Sequence, residues 1–88
     1  MTHSPPVDLP DVPGAHHLGD LSRSSVTWRV YFEVDTAARP VKGRIHFVSI
    51  SGRRSTGWIF MEYSEPDLLK RFHEFSALEL WKILESLA

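Results

Sequence analysis

A chain of 88 residues, 42% hydrophobic and 24% charged, has room for one domain with a modest core and excludes a second domain within it. The absence of cysteine excludes disulfides and thiolate-bound metals, and no apolar run approaches the ~18 residues that a membrane span needs. The net charge of −1 conceals a basic middle, with Arg23, Arg29, Arg39, Lys42, Arg44, Arg53 and Arg54 against Glu33 and Asp35, flanked by two acidic ends.

Residues 1–22 open the chain with Pro5, Pro6, Pro10 and Pro13, followed by Gly14 and Gly19. Such a density of Pro and Gly disfavours a helix or a central strand. A disordered or extended Pro-rich tail is therefore predicted for 1–22, with residues 23–88 forming the single folded domain. The N-terminus carries neither the basic nor the apolar segment of an export signal, so the expected location is the cytoplasm.

The first predicted strand is SVTWRVYFEVD, in which Val26, Trp28, Val30, Phe32 and Val34 alternate with Thr27, Arg29, Tyr31, Glu33 and Asp35. That is the two-residue period of a half-buried strand. In VKGRIHFVSI, Val41, Ile45 and Phe47 fall opposite Lys42, Arg44 and His46, while Val48 interrupts the polar side. Ser51-Gly52 then supplies a hairpin turn, with Arg53 and Arg54 at its tip. A third strand, STGWIFMEY, is apolar on both faces and is expected to be covered on both.

Two helices follow. Ser64 is placed to cap the first, with Pro66 and Asp67 in its opening turn, and Ser76 with Glu79 forms a capping box that starts the second. On a helical projection Ala77, Leu80, Trp81, Ile83, Leu84 and Leu87 span an arc of roughly 160°, wider than a small sheet and one helix comfortably cover. Trp81 is expected to anchor the core. The surplus falls to a partner.

No chemistry-bearing motif emerges at a specific spacing. The five histidines show no ligand pairing of the kind zinc sites use, no Gly-x-Ser-x-Gly elbow is present, and SGRRSTG lacks the lysine of a phosphate-binding loop. No metal, cofactor or enzymatic activity is expected. The expected fold is α+β, a three-stranded antiparallel sheet followed by two C-terminal helices packed on one face, after a disordered N-terminal tail. The expected function is a non-enzymatic protein-interaction module, an adaptor or regulatory subunit. It would bind another protein or a second copy of itself through Leu80, Ile83, Leu84 and Leu87 of the last helix. The alternative is a single-stranded nucleic-acid binder using Arg29, Tyr31, Lys42, Arg44, His46, Arg53 and Arg54, where charge would track phosphates and rings, Trp58 or Phe60 among them, would stack on bases.

Overall fold

A computed structural model describes residues 12–87. Seven elements follow in chain order: β1 (Ala15–Arg23), β2 (Val26–Asp35), β3 (Val41–Ser49), β4 (Gly52–Ser55), β5 (Phe60–Glu62), α1 (Glu65–His73) and α2 (Ala77–Ser86). The strands form one antiparallel sheet in the order β1-β2-β3-β4, and β5 pairs with the other end of the β3 edge that β4 occupies. This is the expected α+β architecture with five strands instead of three. No helix among the described residues is long and apolar enough to cross a membrane.

The first additional strand lies where a tail is predicted. Residues 15–22 belong to β1, paired along its length with β2, while residues 1–11 of the predicted tail lie outside the described residues. Two local features hide this strand. Its register slips between His17 and Gly19, so Leu18 and Leu21, three positions apart, both reach the main core, while Ala15 packs on the other face with Val12. Its turn to β2 is Ser24-Ser25, at φ 52° and 71°. A two-residue hairpin turn of this hand requires positive φ at both central positions, where Asn-Gly is the usual signature and serine is strained.

β2 and β3 show the alternation that the sequence predicts. Val30, Phe32, Ile45 and Phe47 are buried on one face with Leu68 and Phe72 of α1 and Leu80 and Leu84 of α2. On the other face Val12 packs against Tyr31 and Val48, which accounts for the apolar Val48 in an otherwise polar row. At the centre of the main core the Phe32 ring lies across Gly43, where a Cβ would sit 2.5 Å from its Cζ atom. Only glycine leaves room for that ring.

The helices begin where expected. Ser64 accepts from the backbone N–H of Asp67 at 3.3 Å, and at α2 both halves of the Ser76–Glu79 capping box are formed. A turn at 74–76 separates the two helices.

Candidate functional site

β1 covers one flank of the wide apolar arc of α2. Leu80 and Leu84, 8% and 1% exposed, lie inside the core, and Ile83 and Leu87 are half-buried against it. The flank at Trp81 is covered by β1, whose Arg23 guanidinium stands 4.2 Å from the indole centroid while pairing with Glu85 at 3.2 Å. Trp81 is consequently a half-buried flank residue, and the central anchors are Leu80 and Leu84. Of the four residues predicted as an interface, two are therefore core and two lean on it. The sheet is one strand wider than expected, and that strand brings Leu18 and Leu21 to the same cluster.

The predicted basic face is assembled, but most of it is internally engaged. Register places Arg29, Tyr31, Lys42, Arg44 and His46 on the sheet face away from the helices. Tyr31 and His46 are buried, at 4% and 0% exposure. Arg44 donates to Glu33 Oε1 at 2.8 Å and lies 4.3 Å over the Trp58 ring, so the side chain expected to stack on bases stacks on a neighbour. Lys42 stands directly across from Asp35. Arg53 and Arg54 are not at a hairpin tip: the loop is Ile50-Ser51, and Gly52, at φ 147°, already begins β4 opposite Ser49. Alternation then sends Arg53 to the polar face and Arg54 to the helix side, 5.1 Å from the Trp28 ring and 3.3 Å from the Leu84 carbonyl.

Three of the engaged groups stand in line. His46 Nε2–H donates to Glu33 Oε1 at 2.7 Å, and its Nδ1 accepts from the Ser55 hydroxyl at 2.6 Å. Such a line has the outline of a serine–histidine–carboxylate relay. Its electrostatics run the other way. Burial, reinforced by the charges of Arg53 and Arg44, holds His46 below its ordinary value despite the Glu33 hydrogen bond. With Arg53 3.2 Å from Nδ1, the base position faces a cation, and a proton taken from Ser55 would be repelled there. The row acts as a brace across β2, β3 and β4. Burial alone would raise the Glu33 carboxyl, but hydrogen bonds from His46 and Arg44, and Arg44's charge, hold it below the usual range. Among the described residues no group of three or more His, Cys, Asp or Glu side chains is placed to hold a metal ion.

Val26, Ile50 and Leu78 are exposed singly, whereas three large apolar side chains are exposed together on β5 and its flanks. Ile59, Met61 and Tyr63 are 56%, 54% and 92% exposed. The sequence predicts cover on both faces of this segment; the face carrying Phe60 is buried in the core, whereas the side chains of Ile59, Met61 and Tyr63 are left open beside a break in the strand. From the His46–Ser55 pair to the Gly43–Phe60 pair, β3 advances three residues while its partner advances five. Thr56 bridges the break by accepting from Ile45 N–H at 3.0 Å and donating its own N–H to the Ile45 carbonyl at 2.9 Å. A tight turn from Gly57 to Ile59 then restarts the strand as β5, whose outer edge pairs with no strand among the described residues.

A groove of about 520 Å³ runs beside that edge. It is lined by Ile59, Phe60, Met61 and Glu62 from β5 and its flank and by Arg71, Glu74, Phe75 and Glu79 from the two helices and the turn between them. Phe60 meets Phe75 edge-on at 5.6 Å and makes an aromatic floor. Arg71 donates to Glu62 Oε2 through two nitrogens, at 3.1 and 3.3 Å, and stands 3.9 Å from Glu74. Glu79 is held below the ordinary carboxylate range by the backbone and hydroxyl of Ser76, so it stays ionised. Three carboxylates and one guanidinium therefore line the groove. Sequence reasoning finds these residues only as parts of helices and a covered strand; the apolar stripe Ile59, Met61, Tyr63 was its one available signal.

Comparison of the chain with protein-family models, with curated proteins and with solved structures finds no match.

Proposed function

We propose that this protein is a non-enzymatic interaction module that captures another protein along the outer edge of β5. One observation carries the reading: Ile59, Met61 and Tyr63 are exposed around a strand whose outer edge is unpaired among the described residues and borders an aromatic-floored groove. A short, open, apolar edge is a template for a further strand, and sequences ordinarily blunt such edges with charge or proline. Exposed apolar side chains gathered at one place are also the mark of an interaction site. The contact surface thereby moves from the last helix, whose Leu80 and Leu84 serve the core, to β5. Nucleic acid on the basic sheet face, away from the helices, has less support, because Arg44 and His46 are tied to Glu33 and Trp58 is covered by Arg44.

Selection from a random-peptide library against the full chain tests this. The wild type should enrich a related set of peptides. The double variant Ile59→Glu/Met61→Glu should keep its circular dichroism and melting temperature, both sites being solvent-exposed, yet bind the selected peptides at least about tenfold more weakly. A library that enriches nothing, or peptides that bind the double variant as well as the wild type, would refute the proposal.

A further inference from the structure

Resting on that reading, we infer that the occupant of the groove is an extended peptide in which apolar residues alternate with lysine or arginine, added to β5 as a further strand. The groove's lining shows where its axis runs. Phe60 pairs with Gly43 on the helix side of the sheet, whereas Met61 pairs with Lys42 on the opposite side, and both line the same groove. A groove bordered by side chains from both faces of one strand follows that strand's edge. An edge strand presents unpaired N–H and C=O groups along its outer side, and these are the groups through which strand addition binds.

Charge selects the occupant. Glu62, Glu74 and Glu79 outnumber Arg71 in the groove, and the adjoining hollow of about 200 Å³ adds Asp67 and Lys70, leaving an excess of two negative charges over the whole rim. Arg71 is already engaged by Glu62 and Glu74. A carboxylate accepts up to about four hydrogen bonds, so Glu74 and Glu79 retain acceptor capacity for an incoming cation. A second copy of this chain, pairing β5 with β5, would bring one acidic rim against another. A nucleic acid would bring phosphates to it. A basic peptide meets neither cost.

The two sides of the groove differ, which sets the alternation. Side chains of an added strand point alternately to the two faces. Those on the helix side meet the Phe60–Phe75 floor and the carboxylates of Glu74 and Glu79, a surface suited to a Lys or Arg whose aliphatic stem lies on a ring while its head reaches an acid. Those on the other side meet Met61 and Ile59 and are apolar.

The test uses the full chain, labelled with ¹⁵N, and three synthetic peptides of about seven residues. One alternates Val with Lys, one alternates Val with Glu, and the third is the Lys peptide N-methylated at alternate amides, which removes strand-pairing donors and keeps the charge. The Lys peptide should shift the amide signals of residues 59–63 and 74–79 and slow exchange of the β5 amides. The other two should bind at least about tenfold more weakly, and raising salt from about 0.05 M to about 0.5 M should weaken the Lys peptide several-fold. Equal binding by the Glu or N-methylated peptide, shifts centred elsewhere, or no binding by the Lys peptide would each overturn the inference. If the random library nevertheless yields peptides sensitive to Ile59→Glu/Met61→Glu, only the assigned occupant falls. If it yields none, the interaction reading falls with it.

Discussion

Truncation of Phe32 to alanine is expected to cost about 3–5 kcal/mol, enough to lower the melting temperature by on the order of 20 °C in a domain this small. Phe32 is fully buried and joins three parts of the structure. Its ring meets Phe60 of β5 edge-on at 5.2 Å, meets Phe72 of α1 at 5.2 Å, and lies over Gly43 of β3. Removing it opens a cavity where sheet, edge strand and first helix converge. Gly43→Ala is the companion substitution. Its new methyl would stand 2.5 Å from Phe32 Cζ, so the ring must move and the cost should be about 1–3 kcal/mol. In a Phe32→Leu background that cost should shrink, because the clashing ring atoms are gone. Additive losses in the double-mutant cycle, measured by urea unfolding, would mean that the ring does not set the requirement for glycine.

The second large effect belongs to the brace on the opposite face. Glu33→Ala deprives the buried His46 Nε2–H of its acceptor and Arg44 of its carboxylate, and should cost about 2–3 kcal/mol. The same groups set a pH dependence. Chiefly through burial, His46 is held below its ordinary value of 6.5, so on acidification the unfolded chain binds that proton before the folded one does. Stability from this group is complete above about pH 6.5 and is lost as pH falls toward the folded pKa. Glu33, held below its ordinary value of 4.5, stabilises the fold above that pH, and its contribution is lost as pH falls through its folded pKa. Urea unfolding across this range should show decline in two stages, and His46→Gln should remove the upper stage. A wild-type stability that does not change between pH 7 and the onset of the lower stage would contradict this account of His46.

What the sequence reveals and what it conceals follow from how local each feature is. β2 is readable because Trp28, Val30 and Phe32 alternate with polar residues without interruption, and α2 because Ser76 and Glu79 form a capping box within four residues. β1 is concealed by a bulge at Leu18, which destroys its two-residue period, and by a Ser-Ser turn that has no glycine to announce it. The expected surplus on α2 leaves that strand out of account, since a three-stranded sheet has nothing to set against Trp81, whereas β1 carries Arg23 there. The apolar pattern of β5 is equally visible, but burial is not a property of a pattern. Whether Ile59 and Met61 are covered depends on the looped-out residues before β5 and on where the α1–α2 corner lies, both tertiary facts. The basic row shows the same limit: its residues do share a face, as alternation predicts, while the pairing of Glu33 with both Arg44 and His46 emerges only from the cross-strand register.

Hydroxyl-radical footprinting of the full chain, alone and saturated with a library-selected peptide, tests the central claim most directly. In the unbound chain Met61 and Tyr63 should be modified readily, and Leu80 and Leu84 hardly at all, in keeping with their exposure. On binding, modification of Met61 and Ile59 should fall several-fold while Ile50, exposed at the β3–β4 turn, stays unchanged. Protection that appears instead on α2, at Leu78, Ile83 or Leu87, with Met61 still fully reactive, would place the docking surface on the last helix and contradict the assignment to β5.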